Sequence, residues 1–238
     1  MKTDVLAFGP HPDDVEMGCG GLLVKLKKIG YKTGIIDLTR GELSSNGDIE
    51  TRTRETRAAS EVLGIDVREN LNFQDGNIIN DIESRNRIIE MLRKYQPKMV
   101  LFPYYKDRHP DHENAHKLIK DSVFISGLVR YKTSMDFFRP DIVLNYMLHF
   151  EFTPSFIVDI ADELEKKVEA VTAYKSQFFS TVEKDVVTHI STKSFNDILH
   201  TRAKYFGLKI NSTAGEAYFI NSKIKINDPL DFFNYVKY

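Results

Sequence analysis

Four short apolar runs alternate with helical patterns over the first half of the chain, and this alternation restricts the fold more than any other feature. Val5 to Phe8, Thr33 to Leu38, Leu71 to Phe73 and Lys98 to Phe102 read as buried strands. Between them, apolar residues recur at helical spacing: Leu22, Leu23, Leu26 and Ile29; then Ala58, Ala59, Val62 and Leu63; then Ile88, Ile89, Leu92 and Tyr95. Gly30 and Gly64 stand where a helix end takes the left-handed conformation, and Pro97 prevents the third helix from continuing. A fourth helical pattern, Ala115, Leu118, Ile119 and Val123, follows the last of these strands. The repetition predicts an α/β fold, a mostly parallel sheet with helices on both faces. Beyond residue 125 the pattern loosens. Ile142 to Met147, Phe156 to Ile160 and Ala217 to Ile220 read as strands. Leu164, Val168 and Val171 mark one helix, Phe195 to Phe206 another with Gly207 as its stop, and a short helix is expected at the C-terminus. No repeat, low-complexity tract or linker divides the 238 residues, so one domain over 1–238 is expected.

With 33 basic and 34 acidic residues, the chain has no electrostatic footprint for nucleic acid or an anionic membrane. No run is long enough to span a bilayer, and the N-terminal segment lacks a signal-peptide pattern. The single cysteine, Cys19, suits a reducing compartment, so the cytoplasm is the expected location.

The chemistry concentrates just after the strands. Gly9-Pro10-His11-Pro12-Asp13-Asp14-Val15-Glu16 follows the first and Pro103-Tyr104-Tyr105-Lys106-Asp107-Arg108-His109-Pro110-Asp111-His112 the fourth; a turn-rich loop from Thr39 leads to Arg52 and Arg54 after the second. Carboxylates this close raise one another's pKa unless a cation offsets them, and a divalent metal is the simplest such cation. With strand order 3-2-1-4, all three loops meet in one crevice outside the carboxyl ends of the strands. A catalytic zinc takes three His or carboxylate ligands and keeps one position open. His11 with Asp13 or Asp14 supplies two, and a histidine of the second loop the third. The other aspartate stays free as a base for a water whose pKa zinc lowers. A dinucleotide-binding reading fails, because prolines and carboxylates fill the turn where glycines bring backbone to a pyrophosphate. Gly18-x-Gly20-Gly21 comes later and reads as close helix-to-sheet packing. His112-Glu113-Asn114-Ala115-His116 matches the H-E-x-x-H pattern of zinc proteases, a rival that leaves the His11 cluster without a role.

Together, His11-Pro12-Asp13-Asp14 and His109-Pro110-Asp111-His112 resemble the signatures of the LmbE-like (PIG-L) family of zinc-dependent N-acetylglucosaminyl deacetylases, and the resemblance runs in order over nearly the whole chain. The His11 loop, Asp37 to Gly47 and Gly215-Glu216-Ala217-Tyr218-Phe219 are most similar to the bacillithiol-biosynthesis branch, whose enzymes remove acetate from N-acetylglucosaminyl malate. The resemblance implies a Rossmann-like three-layer fold and one zinc per chain held by His11, Asp14 and His112, with ferrous iron suiting the same donors. It implies Asp13 as general base, and His109 as an imidazolium beside the oxyanion, held by Asp111. Arg52 would bind substrate hydroxyls or malate carboxylates; Arg108, Arg54 and Arg57 are further candidates for a cationic rim. The implied partners are a small N-acetylglucosaminide and further copies of the chain as a homo-oligomer. The alternatives are other N-acetylglucosamine conjugates or chitooligosaccharides as substrate, or a sugar-binding module whose metal is structural; the spare carboxylate of Asp13 speaks against the module. Val15 separates Asp14 from Glu16, which in much of the family follows directly, so Glu16 has no assigned role. His116, His149, His189, His200 and Cys19 read as ordinary polar or packing residues.

Overall fold

The computed structural model describes residues 1–178, 186–188, 193–228, 230 and 232. The C-terminal helix expected from the sequence falls largely outside these residues, as does His189. The chain order is β1 (Val5–Gly9), α1 (Asp14–Lys28), β2 (Thr33–Thr39), α2 (Ile49–Leu63), β3 (Val67–Phe73), α3 (Ile82–Tyr95), β4 (Met99–Pro103), α4 (Pro110–Ser126), β5 (Ile142–Tyr146), β6 (Phe156–Asp159), α5 (Leu164–Thr172), α6 (Lys175–Phe178), α7 (Lys193–Leu208) and β7 (Gly215–Phe219).

One sheet of seven strands runs in the order β3-β2-β1-β4-β5-β7-β6. The first five are parallel, and β7 pairs antiparallel with both β5 and β6. Alternate residues of β1 face opposite layers, as the pleat requires. Val5 and Ala7 pack with Leu23 of α1, Leu63 of α2 and Val171 of α5. Leu6 and Phe8 pack with Ile88 and Leu92 of α3 and Leu118 and Ile119 of α4. Covered on both faces, the central strands carry the continuous apolar runs visible in the sequence. β3 begins four residues before the run at Leu71, because it is an edge strand whose polar residues Arg68, Glu69 and Asn70 pair with β2. Asp48 and Asp81 accept N–H groups of Thr51 and Ser84 and so start α2 and α3. Among the described residues no helix is long and apolar enough to cross a membrane.

α1 carries the site's first loop and is broken by a kink at Cys19, which has φ −144° and ψ 19°. Just past the kink, the N–H groups of Gly21 and Leu22 meet a side chain from outside the helix. Glu216 of β7 accepts both, at 2.9 and 2.7 Å. The carbonyl of Met17 accepts from Arg202 Nη2 at 3.0 Å. Glu216 also accepts from the buried Lys167 and from Tyr218 Oη. The Gly215–Phe219 segment thus repairs the kinked helix from across the sheet. Gly18 lets that helix lie on the sheet: a Cβ there would stand 2.1 Å from the ring of Tyr146, whose hydroxyl donates to the carbonyl of Phe8. α7 ends at Leu208, one residue past the Gly207 expected as its stop, and a Cβ on Gly207 would come 2.5 Å from the backbone of Ala214.

Removing the charge of Glu216 strands Lys167 and weakens two helix contacts. Glu216→Gln is expected to cost about 3 kcal/mol in urea unfolding, and adding Lys167→Met to recover part of that loss. An unchanged midpoint for the single variant would contradict this role.

Candidate metal centre and active site

Every loop at the carboxyl edge of the parallel strands contributes to one crevice of about 230 Å³. The loop after β1 brings His11, Asp13 and Asp14; that after β2 brings Gly41 and Ser44, with Arg52 from α2; that after β3 brings Asp75; that after β4 brings Arg108, His109 and His112; and that after β5 brings His149.

His11 Nδ1 lies 3.1 Å and His112 Nε2 3.4 Å from the same oxygen, Oδ2 of Asp14. All three side chains are buried. The far nitrogens also face carboxylates: His11 Nε2 stands 3.1 Å from Asp75 and 3.3 Å from Asp111, and His112 Nδ1 stands 3.0 Å from Asp107. The last contact is an ion-pair distance without the alignment of a hydrogen bond, so His112 Nδ1 is the one poorly satisfied nitrogen of the pair. Burial alone would lower both imidazole pKa values. The carboxylates overturn that, holding His11 well above its usual value and His112 at about 9. Burial raises Asp14, but the two histidines outweigh it and hold the acid well below the carboxylate range. Two imidazoles kept charged against one shared carboxylate oxygen are the donor set a divalent cation fits, since the cation replaces both protons. The outer carboxylates then fix the rings, as in many metal sites. His11, His109 and Asp111, and Asp107, His112 and His149, are also close enough to hold an ion, but neither set carries this outer support on both imidazoles.

Asp13 stands apart from this set. It precedes α1 with φ 120° and ψ −26°, and its side chain makes no capping bond. Arg52 holds it there: Nε and Nη2 donate to the carbonyl of Pro12 at 3.1 and 2.6 Å, and Nη2 to Asp13 Oδ2 at 3.0 Å. Burial pushes the Asp13 carboxyl up to about 7; Arg52 pulls against this, and the charge of Asp14 adds to it. Arg52 is only 6% exposed; Nε and Nη2 of this guanidinium, expected on the substrate, are committed to the loop, while Nη1 has no hydrogen-bond partner among the described residues. Arg108 differs: it is exposed on the crevice wall with no ion-pair partner among the described residues.

His109 caps α4, and its Nδ1 accepts the backbone N–H of Asp111 at 3.2 Å. Burial, then the charges of His11 and His112, lower its pKa to about 4. The ring therefore donates from Nε2 as a neutral imidazole, in place of the imidazolium expected from the sequence. It is the backbone of Asp111 that holds it. The Asp111 carboxylate instead accepts from Gly76 and Ile78 N–H and faces His11.

Asp75 and Asp107 had no role in the sequence reading, and His149, read there as an ordinary polar histidine, lines the crevice. Asp107 faces His112 and, at 2.9 Å, His149 Nδ1, and it accepts the N–H groups of His109 and His149. Asp75 and His149 lie just past the ends of β3 and β5, a position that itself marks ligand-binding residues in such sheets. His116 lies elsewhere: Nδ1 meets the Pro103 carbonyl and the ring packs on Phe102, so the protease pattern does not assemble. Glu16 is fully buried and accepts from Arg68 Nη1 at 2.6 Å and Tyr174 Oη at 2.8 Å, tying α1 to β3.

The chain is similar in sequence and in fold to known proteins. The PIG-L family profile, described as GlcNAc-PI de-N-acetylase, matches residues 6–123. The diacetylchitobiose deacetylase of Thermococcus kodakarensis is 31% identical over 186 residues, covering 73% of this chain and 70% of that one. A conserved protein of Thermus thermophilus superposes with a TM-score of 0.87 at 34% identity, over 95% of this chain and 98% of that one. The N,N'-diacetylchitobiose deacetylase of Pyrococcus horikoshii, solved with an inhibitor, superposes with a TM-score of 0.78 at 27% identity, over 90% of this chain and 82% of that one.

If Asp107 fixes His112 for a cation, Asp107→Asn lowers divalent-metal affinity roughly 10- to 100-fold. Competition with a chromophoric chelator measures this, and unaltered affinity would remove Asp107 from the site.

Proposed function

This chain belongs to the PIG-L family and is an N-deacetylase, a hydrolase of amide bonds; we propose that it deacetylates N-acetylglucosaminyl malate, with zinc held by His11, Asp14 and His112. The observation that carries the reading is the division of the first loop, in which Asp14 faces two imidazoles while Asp13, turned onto Arg52, stays free.

A divalent cation in that donor set supplies Lewis acidity toward water and the amide carbonyl. The chain's own groups do the rest. Asp13 takes a proton from the attacking water and passes it to the departing nitrogen, so that amide and water become amine and acetate. A carboxyl poised near neutrality suits both halves of that transfer. His109 Nε2–H donates to the carbonyl oxygen as negative charge builds there. Arg52 fixes the angle of Asp13. Arg108, exposed at the rim with no ion-pair partner among the described residues, supports the malate conjugate, whose carboxylates match a guanidinium. The buried free Cys19 supports a reducing, cytoplasmic setting. A second reading, deacetylation of chitooligosaccharides, is favoured by the two diacetylchitobiose deacetylases among the similar proteins.

Purified, zinc-loaded protein is expected to release acetate from N-acetylglucosaminyl malate faster than from diacetylchitobiose. The reverse order would favour the second reading, and no release from either would refute the first proposal and the second alike. Asp13→Asn is expected to lower kcat about 10³-fold while zinc stays bound; undiminished turnover would remove Asp13 as the base. Arg52→Gln is expected to lower kcat about 100-fold with KM little changed, because it displaces the base. A raised KM at constant kcat would put Arg52 on the substrate instead.

A further inference from the structure

A cavity of about 460 Å³ lies between β2, β3 and α2 and shares one lining residue, Arg52, with the metal crevice. Its size is that of an ordinary small-molecule site. Its wall is cationic: Arg40, Arg52, Arg57 and Arg68 face only two carboxylates, Asp37 and Glu69. Both carboxylates are already taken. Asp37 accepts from Nε and Nη2 of Arg68 at 2.8 and 2.9 Å, and Nη1 of the same arginine donates to Glu16 at 2.6 Å. Glu69 accepts from Lys94 at 2.7 Å and from Tyr95 Oη. Arg52 is answered by Asp13. Arg40 and Arg57 are left over: both are exposed, and neither side chain has a hydrogen bond or ion pair among the described residues. Arg57, expected from the sequence on a substrate rim, lines this cavity and not the crevice. Two unbalanced charges of one sign in a concave wall concentrate anions there.

We propose that this cavity binds a small dianion, a phosphate monoester or a dicarboxylate, between Arg40 and Arg57, and that its occupancy draws on Arg52 and slows turnover. The match is one of charge and shape: two free guanidiniums meet two negative charges, and each planar fork takes a pair of phosphate or carboxylate oxygens. Arg52 links the cavity to the crevice. It is 6% exposed, and its buried Nη1 has no acceptor among the described residues. A buried donor without a partner is costly. An anion in the cavity offers it one, and a guanidinium turned that way loosens its hold on Pro12 and Asp13. The binding site stands without the deacetylase reading; the effect on turnover rests on that reading and on Arg52 as the residue that positions Asp13.

The test is calorimetric titration of the full-length, zinc-loaded protein with glucose 6-phosphate and with succinate, at about 150 mM salt so that diffuse surface attraction is screened. At least one is expected to bind with a Kd of about 1 mM or tighter. Arg40→Gln and Arg57→Gln are each expected to weaken it about tenfold or more. Arg54→Gln changes an arginine of α2 outside the cavity and is expected to stay within about twofold. Binding of the sugar phosphate alone assigns a phosphate to the site, binding of succinate alone a dicarboxylate, and binding of both a site that reads charge only. No binding of either, equal losses in all three variants, or no loss with Arg40→Gln and Arg57→Gln would overturn the site. In acetate release from N-acetylglucosaminyl malate or diacetylchitobiose, the saturating dianion is expected to lower kcat several-fold with KM little changed, and Arg57→Gln to abolish that inhibition at the same concentration. A raised KM at constant kcat would put the anion in the metal crevice, and unaltered kinetics would overturn the link through Arg52. Absence of acetate from every substrate without the dianion would overturn the deacetylase reading and the effect on turnover with it, while the calorimetry still decides the site.

Discussion

The peptide between Pro12 and Asp13 is held against its own preference, and the site depends on that. Asp13 sits at φ 120°, where a side chain with a Cβ is strained by about 1–3 kcal/mol. The fork of Arg52 offsets that strain by binding the Pro12 carbonyl twice and the Asp13 carboxylate once. Two successive aspartates thereby leave the chain in different directions. Asp14 enters the first turn of α1 and meets the histidines; Asp13 turns onto the arginine. Without the clamp, both carboxylates compete for one cation and no base remains. Arg52 comes from α2, so the register of that helix on the sheet is part of the chemistry.

Charge balance organises the next layer. Asp14, Asp75, Asp107 and Asp111 converge on His11 and His112, and all six side chains are largely buried. Such a concentration is costly unless each carboxylate is paired or accepts N–H groups. Asp111 takes the amides of Gly76 and Ile78, and Asp107 those of His109 and His149. The two imidazoles that share Asp14, held charged, balance part of the remaining negative charge. The support extends across the sheet, because Glu216 and Arg202 satisfy the broken turn of α1 at Cys19. The helix that presents Asp14 is anchored there and at Glu16.

The central half of the fold was legible because buried parallel strands are written as apolar runs; the order β3-β2-β1-β4 was assumed as the common one for such an alternation, and it is the order found. The edge strand β3 was seen only at Leu71 to Phe73, since half-exposed polar positions carry no such signal. In the site, the paired His-Pro-Asp motifs were readable as sequence. The role of Arg52 was not: an arginine spaced for a helix face looks the same whether it meets substrate or a carbonyl forty positions away. Asp75 and His149 lack neighbours of their own kind in the chain, and only the shared carboxyl edge of the sheet brings them in. Glu216 likewise acquires meaning through a kink at Cys19 that no local pattern announces.

The most direct measurement is anomalous diffraction at the zinc edge from crystals of the zinc-loaded protein. One ion is expected within about 2.0–2.2 Å of His11, Asp14 and His112, with Asp13 outside coordination distance and still on Arg52. An ion held by Asp107, His112 and His149, or one bound by Asp13, would contradict the division of the loop on which the proposed chemistry rests.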